Sequence, residues 1–582
     1  MIHIKDHKTR DMFNPFVHLG PKRVALLEKS WAHLFREEIL HRLPVEKLFP
    51  FYNQQKGRRT KELFAMLGLL ILQQMEDLTD EQTVSQFAFN MQWHYALNVT
   101  ECQDAFAYVS PRTIWTLRDT VAKNDLQQAL FENVTETLQQ IFAVDPSLQR
   151  LDSIHIFSNM RHLGRVRLFA STIKKFLVNL KRHHKDSFAS LGDDLTDRYV
   201  GKKSDAVFAG VKPSDSAKTL QDLADDLLLL VDRYRGDKAV SSMNSFSLLV
   251  RLFHDQCIVE DASEDASSDN TVTLKPSKKV ASDSLQNPSD PDATYSGHKG
   301  QGYQMQVMEC CSVSEEKDQL SLITHVNVEP THINDVHALL PALADAKRRD
   351  VGPTTVLADT SYGSDENVES AKAEGVEVIA PASRNGREKP IILADFELSE
   401  NGDVLRCPAG HAPVATTTTN GDRKRASFLT STCDSCPKLS DCPIVRRKSV
   451  CWFSYDSRSV RIARRRAHER TAAFRETYRF RAGVEGTMSD LDRVTGIKYL
   501  RVRGLRAVRF AATLKAAGLN ILRATAFRNK RQDPMKRRNG LKKPSIGSYW
   551  RIKERFTAVI SRLWQHLSIR QMVPGPRLTL TA

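Results

Sequence analysis

Between Tyr303 and Ala380 the chain alternates short β-branched runs with helical periods, and that order narrows the fold more than any other feature. Strand signals fall at Tyr303–Cys310 (YQMQVMEC) and Leu320–Val328 (LSLITHVNV). A helix over Ile333–Ala346 then leads to the strand Thr354–Ala358 (TTVLA), and a second over Ser364–Glu374 to the strand Val376–Ala380 (VEVIA). An earlier run, Leu148–Ile156 (LQRLDSIHI), precedes them all. Strand, strand, strand, helix, strand, helix, strand predicts a mixed α/β sheet.

The rest of the 582 residues is organised around that sheet, with room for roughly three or four domains. A helix is expected over Arg23–His41 from Val24, Leu26, Leu27, Trp31, Leu34, Phe35 and Ile39. A second, Thr60–Met75, is apolar most of the way round and belongs in a core. Thr79 with Gln82 spells a capping box, and Ser110-Pro111 an N-cap before a helix towards Ala122. Residues 18–145 therefore read as a helical N-terminal domain. It is either a plain bundle or, with the basic stretch Lys56–Lys61, one that reads DNA by helix insertion. Asn159–Val259 reads as mostly helical, and residues 260–297, rich in Ser, Asp and Pro, as a flexible linker. The expected parts are thus 18–145, the sheet domain 146–380 with an insertion over about 159–297, a cysteine-rich insertion 381–450, a closing part 451–530 and a basic tail 531–582.

Charge is concentrated at one end. The chain totals +16, yet Asp441–Ile560 alone holds 31 Lys and Arg against 9 Asp and Glu, or +22, leaving −6 elsewhere. Arginine dominates there, with Trp452, Tyr478, Phe480, Tyr499 and Phe510 interleaved. Such a surface suits phosphate, with a solvated helical face as the alternative. The longest apolar run, Phe64–Leu72, is nine residues, short of a membrane span, and Met1–Pro15 has no apolar core of a secretory signal. A basic, intracellular protein that binds nucleic acid is expected.

Asp152 sits inside the first strand, where a charge needs a partner or a cation. Asp359 follows TTVLA directly, at the carboxyl end of a strand, where α/β sheets bind ligands. Two such carboxylates repel, and divalent cations relieve the repulsion. A third carboxylate on a helix would complete a site for two magnesium ions. In a helix around Glu476–Arg493, Tyr478, Arg481, Glu485, Met488 and Asp492 share one stripe beside a buried stripe of Phe480, Val484, Thr487 and Leu491. Glu485 is the candidate.

The segments LDSIHIFSNMRHLGRVRLF, DPDATYSGHKGQGYQMQ, VLADTSYGSDEN and YRFRAGVEG resemble the transposases of bacterial insertion sequences that carry a DDE triad. The nearest kind is the one numbered eleven-eighty-two, in the group headed by insertion sequence four. The likeness runs from about residue 18 to residue 530, including a late GLNILR helix (Gly518–Arg523). It implies a ribonuclease-H-like catalytic domain with Asp152, Asp359 and Glu485 as triad, holding two Mg²⁺ or Mn²⁺ ions. Tyr478 and Arg481 complete the Tyr-x2-Arg-x3-Glu signature and would grip DNA. The family's signature closes on a lysine where this chain has Asp492, followed by the DNA-binding candidate Arg493. Arg501, Arg503 and Arg506 are further DNA-contact candidates.

Cys407-Pro-Ala-Gly-His411 and Cys433-x2-Cys436-x5-Cys442 have zinc-ligand spacing. A structural zinc on Cys407, Cys433, Cys436 and Cys442, with His411 as substitute, competes with a hairpin of reduced cysteines and with a redox pair. Cys102, Cys257, Cys310 and Cys311 read as buried thiols. Gly297–Tyr303 reads as a turn into a strand, His332 and His337 as part of a helix start, and His183-His184 as solvated. The expected function is metal-dependent cleavage at transposon ends, followed by joining of the 3′-hydroxyl to target DNA. Inverted-repeat ends, target DNA and a homodimer or higher oligomer are the implied partners, in the bacterial cytoplasm with no membrane association. A non-catalytic DNA-binding derivative and a host nuclease are the rival readings.

Overall fold

The computed structural model describes residues 1–9, 15–53, 56–101, 103–201, 211–260, 271–312, 319–383, 390–419 and 421–532. Cys102 and nearly all of the expected basic tail lie outside the described residues. The chain divides into two units, residues 1–525 and 526–582; of the second, only 526–532, the last turns of a helix, are described.

Local signals set the N-terminal helices. The expected helix Arg23–His41 is split: one helix spans Pro21–Glu28, and Ser30 caps a new start at Trp31 by accepting from the Ala32 amide at 3.2 Å. A serine hydroxyl offers the backbone an alternative partner, and here that breaks the run. The core helix spans Leu63–Met75, opened by the Glu62 carboxylate on the Phe64 and Ala65 amides. The capping box is present, with Gln82 N to Thr79 Oγ1 at 3.2 Å and Thr79 N to Gln82 Oε1 at 2.9 Å, before the helix Asp80–Phe89. Ser110 caps Pro111–Lys123 as expected. After the helix Leu126–Phe142 the chain enters β1, Leu148–Phe157.

The insertion after β1 has a core of its own. Helices Arg165–His183, Ser216–Tyr234 and Asn244–Gln256 bury Phe169, Phe176, Leu223, Leu227 and Leu249 against one another. An antiparallel pair, β2 (Cys257–Glu260) and β3 (Thr271–Leu274), closes it, so the helical reading to Val259 ends in a strand. The expected linker is corrected as well. Residues 261–270 lie outside the described residues, but Leu285, Asn287, Asp290 and Ala293 are buried. Asp290 accepts from the Tyr303 hydroxyl (2.5 Å), the Ser158 hydroxyl (2.6 Å) and the Gly504 amide (2.9 Å). Asp292 accepts from the Leu505 amide at 2.9 Å, at the start of the helix Leu505–Gln532. A polar composition that would stay disordered alone is ordered by the donors around it.

The main sheet adds β4 (Thr294–Ser296), β5 (Gly300–Cys310), β6 (Ile323–Pro330), β7 (Thr355–Ala358) and β8 (Glu377–Ile379). β5 runs antiparallel to β1 and carries β6 and the short β4 on its other edge, while β7 and β8 run parallel to β1. The order β6-β5-β1-β7-β8 is the expected mixed α/β sheet. One face is covered by the helices Leu339–Arg348 and Asp365–Ala373, burying Leu151, Met308, Leu339, Leu343 and Val356. The first of these starts later than expected, after a 3₁₀ turn at Asp335–His337 capped by Asn334. Strand alternation turns Arg150, Asp152 and Glu309 to the opposite face.

The cysteine-rich module pairs β9 (Glu397–Leu398) with β10 (Val404–Arg406), and β11 (Ala415–Thr418) with β12 (Lys424–Leu429) and β13 (Val450–Tyr455). Its sheet thus runs on past residue 450, around Phe396, Val404, Ala426, Phe428 and Tyr455. The helix Ser457–Glu469 returns to the main domain, where Arg461 pairs with Asp365 at 2.6 Å and Arg465 donates to the Gly363 carbonyl at 2.9 Å. The helix expected over Glu476–Arg493 is in three pieces: Ala472–Tyr478, a 3₁₀ turn Arg479–Ala482, and Gly483–Thr495. Arg150 Nη1 takes the Phe480 carbonyl at 2.9 Å, and a Cβ at Gly483 would overlap that guanidinium. Among the described residues, no helix is long and apolar enough to cross a membrane.

Candidate active site

Leu151 of β1 pairs in register with Ala358 of β7, so the next two positions are Asp152 and Asp359. β7 ends at Ala358, which leaves both aspartates beside each other where that strand runs out. Asp359 Oδ1 accepts from the Ser361 amide at 2.8 Å, fixing the turn that follows. Asp152 accepts from the Ser153 amide and, through Oδ2, from Arg481 Nη2, each at 2.8 Å. Burial pushes the Asp152 carboxyl above its ordinary range; Arg481 opposes this, and the charges of Asp359 and Asp335 add to it.

Glu485 stands in the first turn of Gly483–Thr495 with its side chain 73% exposed, and its Oε1 lies 3.6 Å from Arg481 Nη1. The guanidinium of Arg481 therefore spans Asp152 and Glu485. The structure brings Asp152, Asp359 and Arg481 together, and Glu485 joins them through Arg481. Among the described residues, no group of three or more His, Cys, Asp or Glu side chains is disposed to hold a metal ion. Here the arginine supplies the positive charge between two of the three carboxylates. Two aspartates at adjacent register positions and a glutamate one arginine away are all oxygen donors, the chemistry magnesium takes. Tyr478 stacks on Phe474 (centroids 5.2 Å apart); burial raises its phenol above the ordinary value, against the pull of Arg481. Arg493 pairs with Asp490 at 2.9 Å, and Asp492 with Lys498 at 3.1 Å.

Sequence reasoning missed what holds this helix in place. Glu309 is fully buried and accepts from Arg150 Nε (2.7 Å), Thr487 Oγ1 (2.6 and 2.7 Å) and Arg523 Nη1 (3.0 Å). The available signal was a glutamate inside the apolar run YQMQVMEC and an arginine inside LQRLDSIHI, since interior strand charges require partners. Lys299 was also passed over. Gly297–Tyr303 is a hairpin turn as expected, but Lys299 Nζ reaches Ser153 Oγ (3.1 Å), Gln304 Oε1 (2.8 Å) and Asp335 (3.0 Å) beside the site. His332 bonds Thr294 Oγ1 at 3.0 Å, within the fold.

The other candidates divide. Arg501 pairs with Asp77, in the turn after the helix Leu63–Met75, at 2.9 Å, and Arg506 lies 4.0 Å from Asp119 of the helix Pro111–Lys123, while Arg503 Nη1 is 3.3 Å from Met160 Sδ. Cys407, Cys433, Cys436 and Cys442 line one small cavity with His411, Phe428, Leu439 and Ile444, and none of the four is in a disulfide. Burial first, then the neighbouring thiols of Cys451, Cys442 and Cys407, push the Cys433 thiol up to about 12. Cys257, Cys310 and Cys311 are buried.

Residues 28–120 match the model of a transposase domain, and residues 406–525 match that of the transposase DDE domain. These matches indicate a DDE-type transposase. The first span covers the N-terminal helices from Glu28 to Thr120; the second contains the four cysteines of the small cavity, Tyr478, Arg481 and Glu485, but neither Asp152 nor Asp359. No curated protein and no solved structure matches this chain.

Proposed function

We propose that this chain cuts DNA at the ends of a transposon and joins the freed 3′-hydroxyl to target DNA, using a ribonuclease-H-like domain of the kind found in insertion-sequence-four and eleven-eighty-two transposases. The observation that carries the reading is the adjacent placement of Asp152 and Asp359, with Arg481 bridging to Glu485. The strand order third-second-first-fourth-fifth, with only the second antiparallel to the first and last two, supports the same fold.

In this mechanism Asp152, Asp359 and Glu485 would hold two Mg²⁺ or Mn²⁺ ions, which would supply activation of the attacking oxygen and charge stabilisation of the leaving one. Arg481 yields its place between Asp152 and Glu485 and turns to a backbone phosphate, a partner its planar donors suit. Tyr478 steadies the strand beside the cut by stacking or hydrogen bonding. In the first step a water oxygen attacks phosphorus, and the bond to the 3′ oxygen of the transposon end breaks. In the second, that 3′-hydroxyl attacks a target phosphorus and displaces a target 3′ oxygen, so no protein nucleophile is consumed. The helical domain 18–145 reads the inverted repeats, two or more copies assemble on the ends, and the protein works in the bacterial cytoplasm on the nucleoid. A structural zinc on Cys407, Cys433, Cys436 and Cys442 completes the small module.

Asp152→Ala, Asp359→Ala and Glu485→Ala each abolish end cleavage while leaving end binding largely intact, because the carboxylates serve the transition state and basic surface supplies affinity. Gel-shift and cleavage assays on the same preparations test this. Metal-dependent nicking by Glu485→Ala would move the third ligand elsewhere, with Glu476 next.

A further inference from the structure

The sheet β11-β12-β13 of the cysteine-rich module has two unlike faces. One carries Ala426, Phe428, Cys451 and Tyr455 into the module's core. On the other, Ala415, Ser427, Trp452 and Val445 form one row across the strands, and Thr417, Arg425 and Ser454 the next. That face is open: Leu429 and Val445 on it are 49% and 41% exposed.

Its chemistry is specific. The Arg425 guanidinium lies over the Trp452 ring, 4.4 Å from the centroid, with its Nε buried and without a hydrogen-bond partner. Among the described residues Arg425, Arg447 and Lys448 have no carboxylate partner, whereas Lys424, which points to the other face, pairs with Asp403 at 2.7 Å. Residues 423–454 hold seven Lys and Arg against two Asp. An arginine stacked on an aromatic ring has little freedom left to lose, and its in-plane N–H groups remain available for a phosphate. A row of threonine and serine hydroxyls beside it adds neutral donors for phosphate oxygens.

We propose that this open face is a second DNA-binding surface, separate from the carboxylate site, which clamps the backbone of duplex DNA through Arg425, stacked on Trp452, together with Arg447 and Lys448 of the exposed turn that leads into β13. It rests on the transposase reading for the identity of its partner. Its contacts are with phosphate and carry no sequence preference.

The test measures affinity of the full chain for a short fluorescent duplex of arbitrary sequence across a salt series. Each lost phosphate contact lowers the log–log salt slope by about 0.9, so the advantage of parent over variant shrinks about threefold between about 50 and 200 mM salt. Arg425→Gln and Lys448→Gln each show that change, and Trp452→Leu reproduces the Arg425→Gln effect by freeing the guanidinium. Lys424→Gln, on the opposite face, leaves the slope at the parent value. Melting temperatures for all four variants establish that each is folded. A parent slope in folded Arg425→Gln and Lys448→Gln overturns the proposal while leaving the transposase reading standing. If those variants instead change only self-association, the face is a protein interface and the proposal is wrong. A parent chain that binds no duplex at all overturns both.

Discussion

The Thr487 hydroxyl lies 2.6 and 2.7 Å from the two carboxylate oxygens of Glu309, joining the helix that bears Glu485 to the strand beside Asp152. Arg150 and Arg523 converge on the same buried carboxylate, so strands β1 and β5 and two helices meet at one anion. The position of Glu485 relative to the aspartates is set by this junction, two residues along its own helix.

Removing that anion should be severe. Glu309→Ala leaves the buried Arg150 without its counter-ion, while Arg523 keeps Asp490 at 3.2 Å, and an unpaired buried charge costs about 3–5 kcal/mol. Thr487→Val removes the hydroxyl's donation to Glu309 and the bond it accepts from Arg523 Nη2 at 2.8 Å, and should cost at least about 1.5–3 kcal/mol. Urea denaturation midpoints of both variants check the order and the size.

The small module should carry one zinc per chain, lost when Cys433 and Cys436 are both replaced by serine. With its thiol pushed up to about 12, Cys433 stays protonated at neutral pH unless a metal displaces the proton. Metal analysis of protein purified without chelator decides the matter. A stoichiometry near zero would leave a hairpin of reduced cysteines packed against Phe428.

Acid should weaken the contact between β6 and the helix Leu339–Arg348. Burial pushes the Asp345 carboxyl up, but the His325 hydrogen bond (2.6 Å) and the Arg349 charge outweigh it and hold the carboxyl well below its ordinary range. A depressed carboxylate stabilises the fold above its unfolded pKa of about 4, and that contribution fades as pH falls through the lower folded value. Asp345→Asn should lose about 1.5–3 kcal/mol at pH 7 and lack this component of the acid limb. Thermal melts of both proteins from neutral to acidic pH show the difference.

Among the three arginines at and just before the start of the long helix, Arg503 should contribute most to DNA affinity. Arg501 and Arg506 face Asp77 and Asp119, whereas Arg503 has no carboxylate partner among the described residues. Arg503→Gln should flatten the salt slope by about 0.9, and replacing all three by clearly less than three contacts' worth. Anisotropy titrations in a salt series measure both, and preference for transposon ends should survive.

Where a feature depends on neighbours a few residues away, the amino-acid sequence determined it. The Thr79–Gln82 box, the Ser110-Pro111 start and the strands on either side of Asp152 and Asp359 stand where local pattern puts them. So does the placement of Asp359 just past a strand end. Tertiary structure decided the rest. The helix through Tyr478 and Glu485 breaks because Arg150, 330 residues before Phe480, takes a carbonyl from it. Residues 281–296 pack although their composition reads as linker, because Asp290 and Asp292 meet amides at Gly504 and Leu505. Hydrophobic period and capping are short-range properties of a chain. The partner of a buried charge is chosen only when distant strands and helices close around it, and no local pattern encodes that choice.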